Sequence, residues 1–512
     1  MRHESDNRQR FSRAVLAVAA VLIAALAGDA AQAATGDLFG RTGTGRCLSF
    51  GYPDCLAGPV YGEYTRATVS PDGRHVYATA FGADSIAAFD RDPATGKVTW
   101  KGGADGCYSS GGDPCTEIEQ VDGPLSVAVS PDGKNVYVAA DEEDVILVFD
   151  RNLTTGALKL KAGAQGCVGD QLFNPDCTPG PELFDATALT VSGDGKHVYT
   201  TYDVGLATFD RAADGALTLA SCMGYGEACS QVEDGYGANA IVVAPDGRNV
   251  YTTRLDGLVV AYDRNAASGR LTKKTGTGAC AAALATVHCL ASGGLRFAAM
   301  LAVSPDGRNL YVVSGLDKVT VFRREPGGAL SALAGTDHCV TLVMPVDCAA
   351  SRSRVYSTRS IVISADGASV YTGSEFGITQ FDRDPESGRL SRKPGESGCV
   401  GPTIGCRFAD IGLVTELAVA PGSRHVYAFT RLLGARMELL DRQMTPVATI
   451  ESGPQGVTDD ATPTFTFASD TPGSRFECAL DGGAFIACSN PYTSPALANG
   501  AHSLQVRAID RA

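Results

Sequence analysis

Charged and amide side chains occupy one position in some of seven repeated sequence units, and they are the first candidates for chemistry. Four to five positions before the turn Ser-Pro-Asp-Gly or its variants, most units carry Ser, Ala, Thr or a bulky apolar residue. The departures are Arg66, Asn239, Arg359 and Glu416, with Asp185 slightly earlier. Two arginines, an amide and two carboxylates could hold an anionic ligand and supply a general base.

A structural role is the preferred alternative for two of these residues. Arg66 and Glu416 belong to the first and last units, which become neighbours if the units form a ring. An ion pair across that closure would explain both residues without a ligand. We therefore expect a structural pair and keep catalysis as the alternative.

Polar side chains in the loops between second and third strands are predicted to open on the same end of the units. The residues assigned to ligand binding are Arg254, Glu375 and Arg431 of these loops, together with Asn239, which precedes a first strand. The consecutive acids Asp141, Glu142, Glu143 and Asp144 are a weak calcium candidate, since Ca²⁺ prefers carboxylate oxygens. They lack the spaced ligands and glycine of a known calcium loop. A solvated acidic turn is preferred, and neither a metal nor another cofactor is expected.

The histidines argue against two common kinds of catalytic site. His75, His197 and His425 share one repeat position at the opposite end of the units, while His288 and His338 neighbour cysteines. None is predicted near the candidate residues. A histidine-ligated zinc ion or a Ser-His-Asp triad needs an imidazole within bonding reach, so neither is expected.

The elements that must position these residues are short strands. The seven units share a core at residues 70–77, 130–137, 192–199, 244–251, 304–311, 364–371 and 420–427. In the second unit, β-branched runs at 125–130, 135–140, 145–150 and 157–161 are separated by turn residues, which predicts four strands. Seven four-stranded sheets that close radially bury their faces and protect their edges, which predicts a seven-bladed β-propeller. Asp72 of the turn, the Phe-Asp-Arg residues and Tyr77 recur among the units and are interpreted as scaffold.

Ring closure is predicted from the beginning of the chain. Residues 35–41 are similar to the fourth strand of a unit, and the seventh unit lacks that strand. The N-terminal strand should therefore complete the last blade. This arrangement places each cysteine loop of the propeller between one blade and the next.

The cysteines and the N-terminus predict export. Residues 1–33 combine arginines, an apolar run at 14–28 and the sequence Ala-Gln-Ala at 31–33, after which a signal peptidase would cleave. These are the parts of a signal peptide. All 16 cysteines follow it in close pairs, which favours local disulfides over zinc. The predicted bonds are Cys47–Cys55, Cys107–Cys115, Cys167–Cys177, Cys222–Cys229, Cys280–Cys289, Cys339–Cys348, Cys399–Cys406 and Cys478–Cys488.

The repeat motif resembles that of a known family. The pattern Val-Ser-Pro-Asp-Gly, then Val-Tyr, then Phe-Asp-Arg, then Thr-Gly-x-Leu is similar to YVTN-type repeats and the seven-bladed lactonase-like propellers. The resemblance implies hydrolysis or formation of a lactone at the mouth of the central channel. Residues 445–512, with Cys-Ala-Leu-Asp-Gly-Gly-Ala-Phe at 478–485, resemble a bacterial Ig-like module. Such modules often carry a further tail after the last strand, so a truncated module is one alternative. The predicted domains are the signal peptide at 1–33, the propeller at 34–444 and the Ig-like module at 445–512. The predicted fold class is all-β.

Composition narrows the function further. The 43 Lys and Arg against 57 Asp and Glu leave no basic surplus for nucleic-acid binding. The first hypothesis is an exported monomer, secreted, periplasmic or at the cell surface, that presents disulfide-pinned loops to a protein, glycan or small molecule. The alternatives are a lactonase-like hydrolase acting at the mouth and a purely structural surface protein.

Overall fold

The computed structural model describes most of the chain. The described residues are 19–25, 36–41, 46–49, 55–58, 64–111, 115–224, 229–230, 237–283, 289–315, 318–341, 349–350, 358–402, 406–407, 411–422, 424–431, 436–443, 446–454, 456–469 and 474–509. The chain divides into two compact units, one of which is Gly36–Arg442; the other contains the described residues at both ends of the chain. No described helix is long and apolar enough to cross a membrane.

Within the described part of the chain, each of the seven repeats forms a sheet whose first three strands are antiparallel, and these sheets are here called blades 1 to 7 in chain order. The first strands are Tyr64–Val69, Pro124–Val129, Ala188–Val191, Ala238–Val243, Ala298–Val303, Ser360–Ile363 and Val414–Val419. The second strands are His75–Ala80, Asn135–Ala140, His197–Tyr202, Asn249–Arg254, Asn309–Ser314, Ser369–Ser374 and His425–Thr430. The third strands are Ser85–Arg91, Val145–Arg151, Gly205–Arg211, Leu258–Arg264, Lys318–Arg324, Gly377–Arg383 and Arg436–Arg442.

The outer edge of each blade is more elaborate than one predicted fourth strand. The strands beside the end of the third strand are Leu38–Gly40, Val98–Trp100, Leu158–Leu160, Leu217–Gly224, Leu271–Lys273, Leu330–Ala332 and Leu390–Arg392. A cysteine strand pairs with the beginning of the third strand, except in blade 3, where Leu217–Gly224 is continuous. These cysteine strands are Cys47–Ser49, Cys107–Ser109, Cys167–Gly169, Cys280–Ala282, Cys339–Thr341 and Cys399–Val400. Short parallel strands follow at Leu56–Ala57, Thr116–Glu117, Thr178–Pro179, Leu290–Ala291 and Ala349–Ala350.

Seven of the predicted disulfides are present at this outer edge and in the C-terminal unit, all between the expected partners. In the eighth pair, Cys348 lies outside the described residues. Because Cys107 pairs opposite Ala87, near the start of the third strand, the disulfides lie at the same end of the blades as the beginnings of the first strands.

The blades form a ring. Each first strand contacts the first strand of the next blade, and the first strand of blade 7 contacts that of blade 1. The apolar core lies between the sheets: Tyr77 and Ile86 of blade 1 pack with Val136, Val138 and Leu147 of blade 2. Each sheet buries both faces, so the second and third strands are buried almost throughout.

An arginine–tyrosine bond joins every pair of neighbouring blades in the ring. Arg151 of blade 2 donates from Nε to the Tyr77 hydroxyl at 2.9 Å and from a terminal nitrogen to Asp72 at 2.8 Å, both in blade 1. The Tyr77 hydroxyl donates to the carbonyl of Gly156 at 2.6 Å. Burial raises the pKa of Asp72, but hydrogen bonds from Ser70 and Arg151 lower it to about 2. The equivalent arginine–tyrosine pairs are Arg91–Tyr427, Arg211–Tyr137, Arg264–Tyr199, Arg324–Tyr251, Arg383–Tyr311 and Arg442–Tyr371. These shared residues therefore hold neighbouring blades together.

The N-terminal segment pairs with the last repeat. Leu38–Gly40 is antiparallel to Arg436–Arg442, with Leu38 opposite Arg442. The Tyr371 hydroxyl donates to the Gly36 carbonyl, as Tyr77 does to Gly156.

The second unit is also built of strands. Its strands are Ala19–Ala25, Ala448–Ser452, Gly456–Thr458, Thr464–Ser469, Arg475–Leu480, Ile486–Cys488, Tyr492–Thr493 and His502–Ile509. Phe465, Phe467, Leu504 and Val506 form its core. Ala19–Ala25, inside the predicted signal peptide, pairs in parallel with His502–Ile509. Signal cleavage and the Ig-like assignment stay predictions.

Candidate functional site

A cavity of about 360 Å³ lies at the centre of the ring. Its lining takes one residue from the start of each blade: Thr65, Leu125, Thr187, Asn239, Ala299, Arg359 and Thr415. Arg66 and Arg431 complete the lining. We call this cavity the mouth. Among the predicted site residues, the structure therefore brings Arg66, Asn239, Arg359 and Arg431 together.

Local irregularities in the first strands place the lining residues. In five blades the pairing of the first strand with the second skips one residue, and that residue lines the mouth. These bulge residues are Thr65, Leu125, Asn239, Ala299 and Thr415. A bulge leaves one residue unpaired and redirects its side chain. The residue after each bulge returns to the ladder, so Arg66 pairs opposite Thr79 and Glu416 opposite Phe429.

Several lining side chains bond to the neighbouring blade. The Thr65 hydroxyl donates to the carbonyl of Pro124 at 3.2 Å, and the Thr187 hydroxyl donates to that of Ala238 at 3.1 Å. The Asn239 amide donates to the carbonyl of Ala299 at 2.7 Å. Asn239 therefore lines the mouth, but its amide hydrogens already donate to backbone carbonyls of blade 5.

Arg66 and Glu416 form an ion pair beneath the lining. The Arg66 guanidinium lies 3.3 Å from a Glu416 carboxylate oxygen and donates to the Met300 sulfur at 3.1 Å. Arg66 thereby links blades 1, 5 and 7. The Glu416 side chain is 7% exposed and that of Arg66 26%. Ser360 donates to the second Glu416 oxygen at 3.4 Å.

The environment of Glu416 changes its protonation. Burial raises the pKa of Glu416 to about 7, although the positive charge of Arg66 opposes this shift. At neutral pH the carboxyl is divided between its charged and neutral forms. Such a group can accept or release a proton near physiological pH.

The mouth itself is cationic. Arg359 and Arg431 are exposed at the mouth, and together with Arg66 they place three guanidinium groups on the adjacent blades 6, 7 and 1. The Arg359 side chain makes no hydrogen bond or ion pair with another described residue. No carboxylate is among the described residues that line the mouth. An anionic group would therefore meet guanidinium donors at the lining, and at Arg66 it would compete with the carboxylate of Glu416.

Three predicted candidates lie elsewhere. Asp185 has a left-handed backbone, with φ 51°, and lies near Asp141 and Asp144 rather than in the mouth lining. Arg254 forms an ion pair with Asp256 at 2.6 Å. Glu375 is exposed in the loop between the second and third strands of blade 6. These three residues lie at the same end of the blades as the mouth, but they are not among the residues that line it.

The four consecutive acids separate into two groups. Glu142 lies with Asp84 and Asp122, and these three carboxylates approach within 4.8 Å of one another. Burial and the negative charge of Asp185 raise the pKa of Asp141 to about 6. Within the described residues, no three of Asp141, Glu142, Glu143 and Asp144 form such a group. The predicted calcium set is therefore not assembled as a set.

The histidines of the repeat lie between blades, at the end opposite the cysteine strands. The Nδ1 atom of His75 lies 2.5 Å from the Arg151 guanidinium, and that of His425 lies 2.9 Å from Arg91. Burial and then the adjacent arginine lower the pKa of each histidine to about 4. No histidine lines the mouth among the described residues.

The family can be assigned from the repeats themselves. The sequence pattern of the family described as "Lactonase, 7-bladed beta-propeller" matches residues 64–168 and 208–406. The chain belongs to this family. The match covers the blades that carry Arg66, Asn239 and Arg359, whereas Glu416 and Arg431 lie beyond it.

Comparison with solved structures gives distant similarities. Hydrazine synthase of Kuenenia stuttgartiensis is 14% identical over 76% of this chain and 98% of its own, with a TM-score of 0.47. A predicted 6-phosphogluconolactonase from Bacteroides uniformis is 18% identical over 64% and 83%, with a TM-score of 0.44. A protein from Lactobacillus plantarum is 18% identical over 66% and 85%, with a TM-score of 0.45. No curated protein matches the chain significantly.

Proposed function

We propose that this protein is an exported propeller that binds an anionic small molecule in its mouth. The observation that carries the proposal is the set of three guanidinium groups of Arg66, Arg359 and Arg431 on one side of a cavity whose described lining residues include no carboxylate. Guanidinium groups bind carboxylate and phosphate oxygens through charge-assisted hydrogen bonds. The disulfides favour an oxidising compartment outside the cytoplasm.

Hydrolysis of a bound lactone is the second candidate function. It is supported by the family assignment and by a buried Glu416 whose pKa lies near 7. In this reaction Glu416 removes a proton from a water molecule as the water attacks the lactone carbonyl. The ring C–O bond then breaks, and the alkoxide takes up a proton to give the hydroxy acid. Arg66 stabilises the negative charge on the carbonyl oxygen. The substrate must first separate Arg66 from Glu416.

The remaining assignments concern architecture. We infer that Leu38–Gly40 closes the ring as the fourth strand of blade 7, supported by its pairing with Arg436–Arg442 and by the Tyr371–Gly36 bond. We also assign residues 1–33 to an export signal and residues 445–512 to an Ig-like spacer.

Calorimetry on the purified protein tests the binding function. Citrate, glutarate, inorganic phosphate and a panel of carboxylated lactones are the probes. Arg359→Ala should weaken anion binding at least about tenfold, since a charge-assisted bond contributes roughly 1.5 kcal/mol or more. Arg308→Ala is the matched control, because Arg308 is exposed on a turn at the other end of blade 5. Equal binding by both variants, or no binding by wild type, contradicts the proposal.

Turnover separates the two functions. If the mouth hydrolyses lactones, Glu416→Gln removes turnover and leaves binding of the product acid intact. If wild-type protein binds these acids but converts no lactone in the panel, the hydrolase candidate fails and binding stands.

A further inference from the structure

Exposed apolar side chains gather at the end of the propeller where the mouth opens. Among the described residues of this unit, seven large apolar side chains are exposed, and only Leu153 lies at the opposite end. The six at the mouth end are Leu172, Phe173, Phe184, Leu255, Phe297 and Phe376. Two neighbouring pairs occur within this set: the ring centroids of Phe173 and Phe184 lie 6.1 Å apart, and the Phe297 backbone donates to Leu255. Exposed apolar clusters on a soluble protein commonly mark a binding surface.

Phe297 is the most unusual of these residues. Its φ of 58° lies in the left-handed region, which bulky side chains adopt at an energetic cost. Gly123 and Gly237 occupy the same repeat position with φ of 57° and 64°. Phe297 is nevertheless 52% exposed, so packing within the fold does not explain a phenylalanine at this strained position. Strain of this kind is concentrated at functional sites.

The neighbours of Phe297 extend an apolar wall beside the mouth. Phe297 lies two residues before the lining residue Ala299, which limits their Cα separation to about 7 Å. Its backbone N–H donates to the Leu255 carbonyl at 3.1 Å, and the Leu255 side chain is 58% exposed. In blade 3, Phe184 lies three residues before the lining residue Thr187.

Charge and apolar surface thus occupy different parts of the ring. The guanidinium groups belong to blades 6, 7 and 1, whereas Phe184, Leu255 and Phe297 belong to the entries and loops of blades 3 to 5. If the anionic group of a ligand binds the arginines, the rest of the ligand can contact the apolar residues of blades 3 to 5. Covering exposed apolar surface is favourable in proportion to the area removed from water.

We propose that the ligand of the mouth is an amphiphilic carboxylate, with its carboxylate on the arginines and its hydrocarbon body against Phe297 and Leu255. This inference rests on the proposed anion-binding function and names its ligand class. A free monomeric carboxylate is the occupant, since the cavity of about 360 Å³ admits one small head group and its cationic residues lie on the side opposite Phe297 and Leu255.

A chain-length series tests the ligand class. Calorimetry compares hexanoate, octanoate and decanoate below their micelle concentrations, with citrate as the polar anion and 1-octanol as the uncharged analogue. The Kd should fall about twofold for each added methylene, which corresponds to half of full burial. Octanol should bind at least about tenfold more weakly than octanoate. If citrate binds and the longer carboxylates bind no tighter than hexanoate, this inference fails while the anion site stands. If no anion binds, both fail.

Two exposed apolar residues give the matched variants. Phe297→Gly should weaken decanoate binding by about fivefold or more and leave citrate binding unchanged. Since glycine relieves the left-handed backbone, the melting temperature should not fall. Leu153→Ser, at the opposite end, should change neither affinity. Unchanged decanoate binding by Phe297→Gly overturns the inference.

Vesicles distinguish a free carboxylate from a membrane surface. The protein should not sediment with vesicles of phosphatidylglycerol and phosphatidylcholine in the absence of carboxylate. Sedimentation with these vesicles but no binding of monomeric decanoate overturns the inference in favour of a lipid surface.

Discussion

At the scale of single residues, the site depends on an ion pair whose carboxylate is almost closed to water. Glu416 is buried beneath the mouth lining, and its charged form is stabilised by Arg66 and Ser360. The usual cost of burying a carboxylate is therefore only partly offset, and the pKa rises to about 7. The free energy of unfolding should respond to both partners and to pH.

Loss of Arg66 should expose this dependence. Arg66→Ala leaves Glu416 without its partner, so we expect the free energy of unfolding at pH 8 to fall by roughly 1.5 kcal/mol, the approximate cost of protonating a carboxyl whose pKa is about 7. At pH 5 the carboxyl is protonated, and the loss should be under about 1 kcal/mol. Urea denaturation at the two pH values measures both.

A double-mutant cycle provides the control. Arg66→Ala combined with Glu416→Gln removes the buried charge as well, so much of the loss at pH 8 should be recovered. Additive effects of the two substitutions would show that the pair is not coupled and would contradict the structural account of its geometry.

Glu416 alone gives a pH effect of known sign. Its folded pKa exceeds the ordinary value of 4.5, so the unfolded chain loses this proton first as the pH rises. Stability should therefore decrease between about pH 4.5 and 7 through this group. Glu416→Gln should remove that component of the pH profile, and an unchanged difference profile between the two proteins would contradict the raised pKa.

The histidines between blades should act in the opposite direction. The folded pKa of His75 and His425 is about 4, and burial lowers the pKa of His197 as well. The unfolded chain therefore binds protons first as the pH falls, and stability is lost between about pH 6.5 and 4 through His75 and His425. Asparagine fills the same position in blades 2, 4 and 5, where Asn135 accepts from Arg211 at 2.7 Å. The triple variant His75→Asn, His197→Asn and His425→Asn should lose less stability in acid. A thermal melt series that is equally pH-dependent in both proteins would refute this.

At the scale of elements, the repeats explain why sequence could predict strands but not the mouth. The turn Ser-Pro-Asp-Gly and the apolar runs are local signals, and the strands follow them. The bulges at Thr65 and Asn239 are set by pairing between strands, which leaves no local mark. Consequently the sequence does not distinguish two neighbouring positions. Arg66 and Glu416 lie four residues before the turn, whereas Asn239 and Arg359 lie five residues before it.

The cysteine strands show the same limit. Sequence predicted the disulfide partners because the spacings are short and local. It predicted loops at Cys107 and Cys167, whereas these residues begin strands that pair with the third strand of the blade. Such pairing depends on the neighbouring strand, so composition alone could not show it.

The N-terminal strand should matter more to the propeller than the C-terminal unit does. Deletion of residues 34–46 removes the strand beside Arg436–Arg442 and the Gly36 carbonyl that accepts from Tyr371, so an edge of blade 7 is exposed. We expect a melting temperature well below that of a chain lacking residues 445–512. Equal melting temperatures for the two deletions would contradict closure by this strand.

At the scale of the whole molecule, the ring brings together residues that are far apart in sequence. Arg66 and Glu416 are separated by 350 positions, yet blades 1 and 7 place them in contact. No segment of the chain contains the mouth, because each blade contributes about one lining residue. The scaffold contacts between blades fix these residues, and the departures from the repeat give the mouth its charge.

A crystal structure with the tightest-binding carboxylate of the calorimetric series tests the central claim most directly. The account predicts that the carboxylate group lies in the mouth within hydrogen-bonding distance of Arg359 or Arg431, both of which line the cavity. A ligand bound among the disulfide-linked strands at the outer edge of the blades, with the mouth left empty, would contradict it.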